Sequence, residues 1–219
     1  MSEREALFAR IREALSVKAV GHDGGLPSVP EQRRVLPAVG STEAEQLALF
    51  QKNAADLHAD FQQFSSEGDL QAKVRELCQA EGWKKIATHN GKLANAVAQS
   101  LGVPVLNTAD GYDKHELAAC DAGITECDAL VAQTGSVLVT TLSAGGRALS
   151  CLPPHHVVVA RRDQLVPDLP AALELLQQKY GTNYPSMISF ITGPSRTGDI
   201  ERILVLGAHG PKKLTILVI

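Results

Sequence analysis

Leu47, Phe50, Ala54, Leu57, Phe61 and Phe64 recur at steps of three and four, the spacing of one helix face. Thr42 and Glu45 precede them at capping-box spacing. Together they predict a helix of roughly 24 residues with three phenylalanines on a heptad-like seam. Such a seam either packs on its own domain or meets a partner. Ahead of it, Ser2 and Glu5 form another capping box, and Leu7, Ile11 and Leu15 follow at helical intervals to about Ser16. The stretch from Val20 to Gly40 is rich in Gly and Pro without a period, which predicts an extended connector. Residues 1–40 are therefore expected to be an N-terminal helix and connector, and 41–219 an α/β domain.

Downstream the period changes. Asp69 to Gln79 reads as a helix ended by Gly82, Trp83 to Thr88 as the first parallel strand, Leu93 to Leu101 as an Ala-rich helix, and Val103 to Leu106 as a second strand. A strand–helix–strand order argues for an α/β fold with a mostly parallel sheet, because a parallel crossover needs a covering helix. A short helix through His115 and Leu117 follows, and Asp121 to Thr125 reads as a loop. Thr134-Gly135 separates two β-prone runs, 129–133 and 136–141, which is a hairpin signal. A hairpin is an exception in a parallel layout, so Thr134, Gly135 and Ser136 become site candidates. His155 to Ala160 and Leu214 to Ile219 read as strands, and Pro170 to Tyr180 as a helix.

Composition narrows the function classes. The chain has 219 residues, 44% of them hydrophobic and 21% charged, with a formal charge of −3, as in an ordinary globular protein with one sizeable core. No basic or aromatic–basic block marks nucleic acid, and no apolar run approaches a membrane span. The charged N-terminus lacks a signal-peptide core, so the cytoplasm is the expected compartment. Cys78, Cys120, Cys127 and Cys151 make no Cys-x-x-Cys spacing. The protein is thus expected to carry no redox cofactor of its own. His155 and His156 point to opposite faces of one strand, and His155, Cys151 and His209 would bind metal only if folding brought them together. No metal site is expected.

Candidate chemistry concentrates near the C-terminus. Met187 to Ile191 reads as a buried strand that stops at Gly193-Pro194, and Asp199 to Leu206 can begin a helix capped by Ser195 or Thr197. A second turn follows at His209-Gly210-Pro211. A strand, a tight turn and a helix start is a geometry that holds small ligands in α/β proteins. Gly193, Ser195, Arg196, Thr197, Asp199 and Gly210 are the ligand candidates. Arg196 would grip a small anion and His209 would be the candidate proton donor. The competing reading keeps Asp199 as a mere cap and the glycines as mere turns. Neither turn is a P-loop or a dinucleotide fingerprint.

Gly193-Pro-Ser-Arg-Thr-Gly-Asp-Ile-Glu201 with Gly207-Ala-His-Gly-Pro211 resembles the signature of the LUD domain family, within it the lactate utilization protein C group. Gln133-Thr-Gly-Ser-Val137 and Leu152-Pro-Pro-His-His156 match further landmarks of that family. The resemblance covers roughly Ala54 to Ile219. It implies a fold like the ribose-5-phosphate isomerase, glucosamine-6-phosphate deaminase and CoA-transferase group. It also implies a role in oxidising L-lactate to pyruvate beside iron–sulfur partner proteins, which would carry the clusters, and it raises Thr134, Gly135 and Ser136 as site candidates. Two other functions stay open. One is a free-standing enzyme on a small phosphorylated or acyl substrate, for which Glu126 or Glu201 is a nucleophile by position only. The other is an interaction module built on the phenylalanine seam, and self-association is open as well.

Overall fold

In the computed structural model the described residues are 3–16, 37–197, 205–207 and 209–219. The chain divides into two units, Met1–Pro37 and Ala38–Ile219. In the first, helix α1 is Glu3–Ser16, with the Arg4 guanidinium 5.6 Å from the Phe8 ring centroid. Ser2 of the expected capping box and the connector to residue 36 lie outside the described residues.

The second unit opens with α2, Glu43–Asp56, whose capping box is formed as expected: Thr42 accepts from the Glu45 amide and Glu45 reaches back to the Thr42 amide. The expected helix of some two dozen residues is not formed. It ends at Leu57, and His58 adopts a left-handed φ of 64°. Phe61 then lies on strand β1, Asp60–Gln63. Tertiary packing overrides the helical period here: Phe61 folds back edge-on against Phe50, with ring centroids 5.2 Å apart. Phe64 packs into a different core cluster, so no seam of three phenylalanines exists.

Helix α3 is Glu67–Glu81, capped by Ser66 and closed by Gly82. Strand β2, Ile86–Thr88, helix α4, Lys92–Gln99, and strand β3, Val105–Asn107, form the expected crossover. Helix α5, Lys114–Ala118, precedes strand β4, Ala122–Thr125. The sequence reading of that segment as a loop is overturned. Ala-Gly-Ile-Thr is too short and small to announce a strand, yet all four residues are buried. Strands β5, Ala129–Val131, and β6, Ser136–Thr140, are antiparallel. Strands β7, His155–Ala160, and β8, Leu165–Val166, and helix α6, Leu169–Tyr180, follow. The chain ends through β9, Ile188–Ile191, β10, Arg196–Thr197, β11, Val205–Leu206, and β12, Lys213–Val218. The helix expected over 199–206 gives way at its end to β11, which pairs antiparallel with β10; residues 198–204 lie outside the described set.

Six strands make a wholly parallel sheet in the order β1-β12-β7-β4-β2-β3. The expected hairpin belongs to a second sheet, β8-β5-β6-β9. Alternation along the strands sets the layers. Val157, Val159 and Leu217 face α3 and α4 in one core cluster. Val158, Ile216 and Val218 face Leu130, Val137 and Val139 of the second sheet, with Phe50 and Ala54 of α2, in another. Helix α6 covers the far side of the second sheet through Ala172 and Leu176 against Val131 and Leu138. Among the described residues no helix is long and apolar enough to cross a membrane.

Candidate functional site

The two C-terminal turns do come together. The Ser195 amide donates to the Pro211 carbonyl at 2.9 Å, and the Gly207 amide donates to the Ser195 carbonyl at 2.9 Å. Gly193, Ser195, His209 and Gly210 line one cavity of about 210 Å³, together with Cys151, an exposed free thiol. Arg196 is exposed and is not among the residues lining the cavity, and its guanidinium lies 3.5 Å from where a Cβ on Gly193 would stand. Thr197 is half-buried on β10. Asp199 lies outside the described residues, as does Glu201. His155 is not part of this cavity, so the set Cys151, His155 and His209 is not assembled; among the described residues no group of three His, Cys, Asp or Glu side chains converges as metal ligands.

The hairpin candidates divide. Ser136 joins this region, its hydroxyl 2.8 Å from that of Thr192. Gly135 sits instead against α2, where Asn53 donates through Nδ2 to the carbonyls of Ala132 and Gln133 at 2.9 Å each, and Thr134 beside it turns the chain, its amide donating to the Val131 carbonyl at 3.4 Å. A Cβ on Gly135 would stand 2.7 Å from the Ala54 nitrogen, and one on Gly193 would stand 2.7 Å from the Leu57 carbonyl. Both turns are thus seated on the C-terminal part of α2, which explains small residues there without a ligand.

A larger cavity, about 420 Å³, opens elsewhere. From β2 the chain crosses through α4 to β3 on one side and returns through α5 to β4 on the other. The connections after β2 and β4 therefore part, and a crevice forms outside their carboxyl ends, as at other points where strand order reverses. His89, Asn90 and Gly91 enter it from β2, Thr108 and Ala109 from β3, Glu126 from β4, and residues of the loop 141–145 cover it.

Its geometry is tightly fixed. Glu126 Oε1 accepts from the amides of Leu93 and Ala94, at 2.7 and 3.2 Å, and so caps α4 with a carboxylate where the helix field favours negative charge. Both ring nitrogens of His89 lie within reach of backbone N–H groups, Nδ1 at 3.1 Å from Gly91 N and Nε2 at 3.2 Å from Glu126 N. A neutral imidazole accepts through one nitrogen only, and an imidazolium would present donors to both. Burial depresses the His89 pKa, with Glu126 acting in the opposite sense. Gly91 admits no Cβ, which would stand 2.5 Å from His89 Cε1. Gly145, at φ 63°, lies so close over His89 that no side chain fits, and its carbonyl accepts from Thr108 Oγ1 at 2.8 Å.

The covering loop is anchored from beneath. Asp128 is buried and accepts from Lys179 Nζ at 2.7 Å and Tyr180 OH at 2.6 Å. Burial pushes its carboxyl up, but hydrogen bonds from Lys179, Ser143 and Tyr180 outweigh that and hold it below the usual value. Thr140 joins the same group, its amide donating to Ser143 Oγ at 2.9 Å. The sequence pointed to Glu126 by position only, and His89 and the crevice as a whole were not among its candidates. A His-Asn-Gly at a strand end opening an Ala-rich helix was the available signal.

A model of the LUD domain matches residues 1–219. The chain is similar to lactate utilization protein C of Oceanobacillus iheyensis, 28% identical over 204 residues, covering 88% of this chain and 86% of that one. It is similar to lactate utilization protein C of Anoxybacillus flavithermus, 30% identical over 186 residues, covering 82% and 83%. The protein of that name from Bacillus subtilis is 24% identical over 232 residues, covering 100% and 97%. Among solved structures, the crystal structure of a DUF162 family protein from Deinococcus radiodurans shares the fold. Its TM-score is 0.65 at 22% identity, covering 82% of this chain and 99% of that chain.

Proposed function

Because this chain belongs to the LUD domain family, we propose that it serves L-lactate utilization as a non-redox component. It works beside iron–sulfur proteins that carry the electrons as L-lactate becomes pyruvate. The reading is supported by relatives named for lactate utilization that align over more than four fifths of both chains. The absence of any Cys-x-x-Cys spacing in the sequence supports the non-redox part. The site is the cavity of Ser195, His209 and Gly210, where the two family turns meet. There a small anion such as a carboxylate is held by backbone groups and by Arg196 beside Gly193, and His209 exchanges a proton with it.

The experiment is isolation of the tagged protein from lactate-grown cells. The protein alone should be colourless and should not oxidise lactate, while gentle isolation should bring iron–sulfur proteins with it. A stoichiometric flavin or iron–sulfur spectrum in the protein alone would defeat the non-redox assignment. Isolation without iron–sulfur companions under every gentle condition would defeat the partnership.

A further inference from the structure

We infer that the crevice between the carboxyl ends of β2 and β4 binds a neutral vicinal diol, a free polyol or the ribose of a nucleoside, through the carboxylate of Glu126. The inference does not rest on the lactate reading, since it concerns a different cavity.

The crevice stands where the strand order reverses, and about 420 Å³ accommodates a sugar or nucleoside. Charge then selects the ligand. Among the described residues lining it there is one carboxylate, Glu126, and neither Lys nor Arg. The place an anion would take, the free amides at the start of α4, is already filled by Glu126 Oε1. An incoming phosphate or carboxylate would have to displace that carboxylate or lie beside it. His89 offers no compensating charge, being buried with its nitrogens facing N–H groups. The crevice is therefore closed to lactate itself.

What it offers is acceptors and hydroxyls. Oε1 of Glu126 is fixed by two amides, which orients the whole carboxylate, and Oε2 takes no hydrogen bond among the described residues. Asn90, Thr108 and Ser143 supply neutral polar groups around it. Adjacent hydroxyls that both donate to one carboxylate match this arrangement, since hydrogen bonds to a charged acceptor are the stronger kind. Leu142, 67% exposed on the covering loop, gives an apolar edge for the C–H face of a sugar. An amine would also satisfy a carboxylate, but the charge of Glu126 is already engaged by the helix start, so hydroxyl donors fit better than a full cation.

Calorimetric titration of the full chain tests this, with xylitol, adenosine, 2′,3′-dideoxyadenosine, ethanolamine and sodium L-lactate as probes. Binding of xylitol or adenosine is expected, with dideoxyadenosine, ethanolamine and lactate giving no binding that the crevice variants alter. Adenosine without xylitol would identify a nucleoside, and xylitol without adenosine a free polyol. Glu126→Gln keeps an oxygen to cap α4 but replaces the free acceptor by a donor, so diol affinity should fall at least about tenfold. Ala109→Trp, at an exposed position on the crevice wall, should block binding without touching Glu126. The inference is overturned if neither diol binds at up to roughly 10 mM, if dideoxyadenosine binds as well as adenosine, if ethanolamine or lactate proves the crevice ligand, or if Ala109→Trp leaves diol binding intact.

Discussion

Acidification from pH 7 to 4 is expected to remove on the order of 3 kcal/mol of stability for each of two buried histidines, a large share of the roughly 5–15 kcal/mol that a domain has. His156 is fully enclosed on β7, with Nε2 2.9 Å from the Thr125 hydroxyl and no partner for Nδ1 among the described residues. Burial, with a smaller push from His155, drives its pKa to about 3. His155 faces the other side of β7, 2.9 Å from the Thr215 hydroxyl and edge-on to Trp83. Burial brings it to about 4, with Glu81 and Asp60 pulling up and Lys213 pushing down. Both values lie below the ordinary 6.5. The folded protein thus keeps these rings neutral while the unfolded chain protonates them. Their contribution is complete above pH 6.5 and is lost as pH falls through that value toward 4 and 3. Urea unfolding at a series of pH values should show a steep acid limb, and His156→Gln should flatten it. An unchanged slope in that variant would show that His156 is not held neutral by the fold.

Phe50→Ala should cost about 3–5 kcal/mol, the range for emptying an aromatic site in a closed core. Phe50 has no exposed surface and stacks edge-on with Phe61, joining α2 to the first strand of the large sheet. Chemical denaturation should register the loss, and sedimentation should find the state of association unchanged. Unaltered stability with weakened association would restore the interface reading of these phenylalanines.

That same pair marks where the sequence misled. Steps of three and four ran on past Leu57 because a strand residue, Phe61, happened to keep helical spacing. The break is made by a left-handed His58, a residue type that does not announce such a turn. By contrast β7, β12, α4 and α6 were legible because each has a clear period or a continuous β-branched run, with Gly and Pro marking its ends. Reading β4 as a loop had a wider effect. Ala122-Gly-Ile-Thr125 has no period and one large side chain, and its burial comes from its place between β2 and β7 and from the α3 and α4 residues packed on Ala122 and Ile124. Without β4 the reversal of strand order could not be placed, and without that reversal neither His89 nor Glu126 had a reason to matter. The C-terminal motif fared differently. Its residues were singled out by turn chemistry and by resemblance, and the fold does gather Gly193, Ser195, His209 and Gly210 at one cavity. Arg196 stands beside Gly193 without lining the cavity and Gly135 lies against α2, a division that depends on tertiary packing and has no signature in the motif.

Growth on L-lactate as sole carbon source is the decisive measurement for the lactate role, in a deletion strain complemented with the wild-type gene, Arg196→Lys or His209→Ala at matched protein abundance. Arg196→Lys keeps the charge but loses the two-pronged grip of the guanidinium. The deletion should abolish growth, the wild type should restore it, and both variants should restore it poorly while remaining folded. Full growth of the deletion strain would remove the protein from lactate utilization, and full growth of both variants at normal abundance would remove Arg196 and His209 from its site.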